Sequence, residues 1–296
     1  MFKYTKITDC NNTLDNLQYG QEMFRDSQLD TFTGTLPNLL DGSYMFAGSK
    51  LKTITLDSKS LLTGDYMLFN CTQLDGDINI TAPSLRSAEG MLKGCTSMDK
   101  LQLDAPGLVD AKQLCYNCTS LTSFIGDLTN VTNLDGAFYM AGSSVQTVGG
   151  NVGMIVFDPV TLNNVVSADS AFYRSGFLNW SIDMPKLETG SNMFIYSTGL
   201  GSFKASLGCL KDGTNMFSDN IALTTFIGDL GALLNAPGMF HRCKLSPQSV
   251  MYIVDTVKSH DSGEHSITIG INANSDITEL NNFAIEAGFT SWDELK

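Results

Sequence analysis

An apolar pair, Met-Phe in its commonest form, returns ten times along this chain at a near-constant interval, and that recurrence restricts the fold more than any other feature. The copies are Met23-Phe24, Met45-Phe46, Leu68-Phe69, Met91-Leu92, Leu114-Cys115, Ala137-Phe138, Ala171-Phe172, Met193-Phe194, Met216-Phe217 and Met239-Phe240. Their second members are 22, 23, 23, 23, 23, 34, 22, 23 and 23 residues apart, so the long interval is one period carrying an insertion. An apolar residue follows each pair: Leu29, Leu51, Leu74, Met98, Leu121, Val145, Leu178, Leu200, Leu223 and Leu245. A short alternating segment comes next, as at Ile54 and Leu56, Leu101 and Leu103, or Trp180 and Ile182. Alternation over so few residues reads as one half-buried strand per repeat. A 23-residue unit of this kind cannot bury its own apolar side, but a stack of units can. The expected fold is a repeat solenoid with one parallel β-sheet and short helical or irregular returns. At the spacing of neighbouring strands, about 4.8 Å, ten units make a rod on the order of 45–50 Å long.

The unit has the form L-x-x-φ-x-φ, then Ala or Met before Phe, then x-x-C-x-x-L. It resembles the BspA-like leucine-rich repeat family, best over Leu101 to Leu121 and Ala137 to Val145. Asp104-Ala105-Pro106 is similar to the Pro that ends the family's strand. Cys95, Cys118 and Cys243 keep the family's Cys, whereas Cys115 replaces the Phe. The resemblance covers roughly residues 20–245 and implies a leucine-rich-repeat array that adheres to surface proteins or glycans; it does not specify the ligand. The expected division is an N-terminal cap (1–20), the solenoid (21–245, with an insertion near 149–159) and a small C-terminal α/β cap (246–296). In the last part the pattern predicts a helix over 247–258 capped by Ser246, a strand over 266–271 and a second helix over 276–287 ending at Gly288. That ending resembles the C-terminal module of BspA-like proteins encoded by bacteriophages and gut bacteria.

With 18 basic and 31 acidic residues the formal net charge is −13, which repels phosphate backbones and anionic membrane surfaces. Nucleic acid is therefore not an expected partner. No apolar run approaches the roughly 18 residues of a membrane span, so membrane insertion is not expected either. The first ten residues carry no secretory signal pattern. Seven cysteines, an odd number, read as free thiols.

Chemistry-bearing residues are few. Cys115 and Cys118 form a C-x-x-C, yet no second pair lies at zinc-ribbon spacing, and the repeat itself accounts for both positions. His260 and His265 flank a polar turn, and His241 lies in the last repeat; no nucleophile–base pair is visible. Asp57, Asp104, Asp127, Asp183 and Asp229 recur after the strands, with Asp158 in the insertion, and either cap turns or share a cation. The outward strand positions, among them Thr53, Thr55, Asn79, Thr81, Gln102, Asn179, Ser181 and Lys204, form a candidate binding face of hydroxyls and amides. Trp180 joins it only if it turns outward. Tyr116, Tyr139 and Tyr173 follow the apolar pair in three successive repeats and should stack as an aromatic ladder on the opposite face, for sugar stacking, for docking or as plain packing. The expectation is thus a recognition protein rather than an enzyme, with no cofactor or metal. Its partners are proteins, cell-surface glycans, further copies of itself or virion subunits. The preferred setting is a bacteriophage virion, as a tail-fibre or surface component that contacts the host; a bacterial surface or cytoplasmic scaffold is the alternative. A glycan-processing enzyme is a more distant alternative and needs a carboxylate pair on the sheet face.

Overall fold

The computed structural model describes residues 2–10, 13–144, 156–158, 161–258 and 267–269. Ten strands recur once per coil: β1 (Asp9–Cys10), β2 (Thr31–Phe32), β3 (Thr53–Asp57), β4 (Asp77–Thr81), β5 (Lys100–Asp104), β6 (Ser123–Gly126), β7 (Val156–Asp158), β8 (Asn179–Trp180), β9 (Ser202–Lys204) and β10 (Thr225–Ile227). All pairings are parallel and sequential, giving a seven-stranded sheet β1 to β7 and a three-stranded sheet β8 to β10. The longer strands β3 and β5 alternate strictly between exposed and buried residues, because only one face meets the core. Inward residues stack in register, Phe32 on Ile54, Leu101 on Phe124 and Trp180 on Phe203 on Phe226. Trp180 is therefore a core residue, 2% exposed.

Each strand leads into a turn closed by a bond such as Leu108 N–H to the Ala105 carbonyl, with Pro106 in the position whose φ proline presets. The chain then crosses a single residue per coil that bridges its neighbours. Nine such bridges run unbroken from Tyr19 through Asp41, Asn133 and Ser167 to Asp212 and Asn235. The stack is thus continuous past the insertion, even where the sheet is not.

The third side of each coil is the return, and it is built from consecutive tight turns rather than helix. Around Phe24, the N–H groups of Met23, Arg25 and Ser27 bond the carbonyls of Gly20, Glu22 and Phe24 in their own coil. The N–H groups of the alternate residues, Gly20, Glu22, Phe24 and Asp26, bond Asp41, Ser43, Met45 and Ala47 of the next coil. The pattern repeats down the stack. It requires a left-handed residue two before and two after each core residue. The first column is Glu22, Tyr44, Tyr66, Gly90, Gln113, Gly136, Ser170, Asn192, Asn215 and Gly238, and the second is Asp26, Gly48, Asn70, Gly94, Asn117, Met140, Arg174, Tyr196, Asp219 and Arg242. All have positive φ.

These columns correct the register in two coils. The third core pair is Met67-Leu68, not Leu68-Phe69: Leu68 N–H bonds the Met91 carbonyl, both residues are fully buried, and Phe69 is half-buried with its edge against Tyr66. In the seventh coil the buried return residue is Phe177, whose ring packs on Phe172 and Trp180, and Leu178 is half-buried. The same pattern extends toward the N-terminus. Phe2 stacks on Phe24 at 5.5 Å, Phe2 and Tyr4 bond Met23 and Arg25, and Tyr4 has φ of 58°.

The core is one continuous cluster. Its spine is a pile of near-parallel rings, with Phe24 on Phe46 at 5.5 Å and Phe138, Phe172, Phe194, Phe217 and Phe240 in sequence at 5.1–5.8 Å. Each such ring removed from water stabilises the stack by roughly 1.5–3 kcal/mol. Beside the rings runs a buried column three residues after each core position, Ser27, Ser49, Cys71, Cys95, Cys118, Ala141, Ser175, Ser197, Asn220 and Cys243, polar or thiol-bearing in all but Ala141. The thiols of Cys71, Cys95, Cys118 and Cys243 each donate to the core residue's carbonyl one coil back, at 3.1–3.2 Å, as the Ser197 hydroxyl does at 2.9 Å. Burial pushes the Cys71 thiol up to about 11 and the Cys243 thiol up to about 12.

At the far end, α1 (Pro247–Lys258) packs against β10, where the Ser249 hydroxyl accepts the Phe226 N–H. A strand β11 (Ala236–Phe240), formed on the tenth return, pairs with β12 (Ile267–Ile269). The glycine-rich insertion around 149–154, Val145, the turn bearing His260 and His265, and the expected second helix lie outside the described residues. Asp158, assigned to the insertion, ends β7 opposite Ile125, so the extra residues precede that strand.

Two stability predictions follow from the columns. Gly94 has φ of 81°, and a Cβ there collides with the Asn70 side-chain oxygen of the coil before. Gly94→Ala should cost about 1–2 kcal/mol in chemical denaturation, from its left-handed backbone alone. Asn220 sits in the hydrogen-bonded column with neither side-chain polar atom partnered among the described residues. Asn220→Ser, which restores the donor found at Ser197, should raise stability by about 1–3 kcal/mol in the same assay.

Candidate recognition surfaces

The outward sheet face divides into rows. Thr55, Asn79 and Gln102 lie side by side, and the row continues to Ile125. Thr53 lies beside Thr31, and Thr81 lies between Asp57 and Asp104. Asn179 neighbours Ser202, Lys204 neighbours Ile227, and Ser181 is exposed just past β8. The structure thus brings three of the expected residues into one row and leaves the others in separate rows or in the second sheet. The face is also less uniform than a hydroxyl and amide array. Ile125 and Ile227 are 43% and 40% exposed, and Lys100 pairs with Asp77 at 3.0 Å. Both isoleucines point outward because the preceding Phe124 and Phe226 take the inward position.

The tyrosines do form a ladder, on the return side of the coils. Tyr116 and Tyr139 stack at 4.4 Å with planes 2° apart, and Tyr139 and Tyr173 at 4.3 Å with planes 5° apart. The Lys93 ammonium lies 4.6 Å from the Tyr116 centroid, at the end of the stack away from Tyr139. Both faces of Tyr139 are therefore covered, and its edge and hydroxyl are what remain for solvent. Burial, foremost, pushes the Tyr139 and Tyr173 hydroxyls above their ordinary range, while Arg174 pulls the other way. A shorter pair, Tyr44 on Tyr66 at 4.9 Å, stands two coils before Tyr116, with the Arg25 guanidinium 5.3 Å from the Tyr44 ring.

The return side of the coils also carries a series of carboxylates that the repeat pattern does not single out. The alternating turns leave over the N–H three before the core residue, and in seven coils an Asp or Asn side chain takes it. Asp41, Asp110, Asn133 and Asp212 accept it from within the same coil, at Ser43, Lys112, Asp135 and Thr214. Asp65, Asp135 and Asp169 accept it from the next coil, at Glu89, Asp169 and Ser191. Pro237 occupies the position in the tenth coil and has no N–H to offer. Burial raises the Asp110 and Asp169 carboxyls, and neighbouring carboxylates add to it. At Asp212 burial pushes the same way, but the Thr214 hydroxyl and amide outweigh it and hold the carboxyl low. Three of the strand-end aspartates behave alike: Asp127, Asp183 and Asp229 accept turn N–H groups from Thr129, Ser206 and Gly231. Each of these three carboxylates thus caps a turn. Among the described residues no group of three His, Cys, Asp or Glu is placed to hold a metal. Cys115 occupies the buried core position and Cys118 the hydrogen-bonded column, as their repeat positions dictate.

A carboxyl whose folded pKa is raised loses stability as pH climbs through that pKa and regains it on acidification. Asp110→Asn keeps the acceptor for the Lys112 N–H, as Asn133 does for Asp135, and removes the charge. The variant should be at least as stable as the parent at pH 7, with the difference vanishing by about pH 3, below the unfolded carboxylate range. Urea titrations at both pH values check this, and Asp110→Ala should lose stability by leaving the N–H unpaired.

A family model for the BspA type Leucine rich repeat region matches residues 1–121 and 42–149, in six copies, which together span half of the chain. A solved leucine-rich repeat protein from Bacteroides ovatus is 14% identical over 88% of this chain and 84% of its own, with a TM-score of 0.38. No curated protein matches the chain.

Proposed function

The chain belongs to the BspA-type leucine-rich repeat family, and from that premise we propose that it is a non-catalytic recognition scaffold, for adhesion or protein interaction, whose partners are surface proteins or cell-surface glycans. The observation that carries this reading is the regular presentation of outward side chains coil after coil, above all the tyrosine ladder at 4.3–4.4 Å. A rigid, preorganised strip of this kind binds without ordering its own side chains first. Three of the strand-end carboxylates on which the glycan-processing alternative would draw, those of Asp127, Asp183 and Asp229, are engaged by turn amides, which supports the non-catalytic reading. Because stacking covers both faces of Tyr139, this central member suits docking through its ring edge and hydroxyl better than sugar stacking. The helix α1 and strand β12 support a capping role for 246–296, as they cover β10 and the tenth return; residues 2–20 continue the coil pattern and support an end coil there.

The finer assignment, a bacteriophage virion component of tail-fibre or surface type that contacts the host or other virion subunits, rests on the sequence resemblance of residues 246–296 alone. Capsid and tail genes beside this one test it; a neighbourhood of bacterial surface genes overturns it. Self-association into a homo-oligomer is read by light scattering. No helix among the described residues is long and apolar enough to cross a membrane.

Binding of the purified chain to intact and to deglycosylated bacterial cells tests the general reading. A Tyr116→Ala, Tyr139→Ala double variant should bind at least about tenfold more weakly if the ladder docks the partner, which is the scale of losing a buried aromatic anchor. A Thr55→Ala, Asn79→Ala, Gln102→Ala variant with the ladder intact should then bind like the parent. The reverse ranking moves the contact to the sheet face, and no binding to any cell or surface protein overturns the scaffold reading.

A further inference from the structure

The tyrosine ladder stops at Tyr173. In the next coil the stacking position holds Ile195, and the tyrosine comes one residue later, at Tyr196. The Tyr196 ring stands at 80° to that of Tyr173 with centroids 5.7 Å apart, so the parallel pile gives way to a corner. At that corner a cleft of about 400 Å³ opens, lined by Ser143, Tyr173, Arg174, Tyr196 and Thr198. Its volume falls within the roughly 300–1,000 Å³ of small-molecule sites. The floor is rigid. Arg174 and Tyr196 are consecutive members of one left-handed column, and their N–H groups bond the Ile195 and Ser218 carbonyls at 2.9 and 3.0 Å.

The second observation is the state of the arginines, of which the chain has four. Arg25 pairs with Glu22, Arg242 pairs with Asp219, and Arg86 donates to the Gly107 carbonyl. The Arg174 guanidinium has no ion pair or hydrogen bond among the described residues, in a chain of net charge −13. A surplus of carboxylates surrounds the stack, yet this guanidinium is left for an outside acceptor. Its planar fork matches a carboxylate in two parallel bonds.

We propose that this cleft is a subsite for a carboxylate-bearing sugar residue, a hexuronic or related acidic sugar, and this rests on the recognition reading above. The Arg174 guanidinium takes the carboxylate. An aromatic ring at the Tyr173–Tyr196 corner takes the C–H face of the sugar, and the hydroxyls of Ser143, Thr198 and the tyrosines meet its hydroxyl groups. An acidic peptide shares the carboxylate but is the poorer fit, because the lining offers hydroxyls in place of an apolar side-chain pocket or a strand edge.

The test titrates the full chain with a glucuronate-terminated disaccharide and with its neutral glucose counterpart, by calorimetry or saturation-transfer NMR. The acidic sugar should bind at least about tenfold more tightly than the neutral one, the scale of one charge-assisted pair. Arg174→Gln should abolish that preference while retaining the fold, since Gln113 has nearly the same backbone geometry (φ 54° against 49°). Arg174→Lys should keep part of the preference. Equal binding of the two sugars, or an unchanged preference in Arg174→Gln, overturns the proposal. A glutamate-rich peptide that binds in an Arg174-dependent way while the uronate does not overturns it in favour of a protein partner. Cell binding by the parent with no uronate binding sinks the subsite and leaves the scaffold. If the parent binds no cell, the scaffold reading fails and the uronate titration still decides the cleft.

Discussion

Backbone hydrogen bonding on the return side of each coil is the constraint from which the rest follows. Alternate N–H groups close turns within a coil and bond the coil after it, so each return is at once a local structure and one rung of a ladder through the whole stack. A buried peptide group has to find a partner. Here every second return N–H finds its partner one period away, which holds every coil in register with its neighbours. The core rings pile up at 5.1–5.8 Å because the backbone beneath them is pitched by those rungs.

The same alternation explains the less obvious residues. It demands two left-handed residues per coil, and Asn, Asp and Gly fill many of the sites because they tolerate that region best. It leaves one N–H without a partner, which recruits the Asp and Asn side chains of the return side. The second lone pair of each core carbonyl is free, and it draws the Cys and Ser column. The return-side carboxylates and the column cysteines Cys71, Cys95, Cys118 and Cys243 are therefore structural consequences of one pattern.

Function then resides in what the pattern leaves outside. A position that faces outward in one coil does so in all, so neighbouring coils can align like side chains, as at Tyr116, Tyr139 and Tyr173. Departures from the period matter just as much. The ladder ends because Ile195 replaces a tyrosine, and the corner that results brings Arg174, Tyr173 and Tyr196 around one cleft.

Period, strand positions and the continuity of the core were legible in the chain, because side-chain alternation and spacing are properties of linear order. So was the tyrosine ladder, since equal positions in stacked repeats must superpose. Register at Leu68 and Phe177 was not legible. In each case two adjacent apolar residues compete for one buried position, and only the bonds to the next coil choose between them. The capping carboxylates, the thiol bonds to carbonyls one coil back and the unpaired Arg174 were equally hidden. Each depends on which groups face one another across about 23 residues of sequence and one rise of the stack, and linear order does not carry that distance.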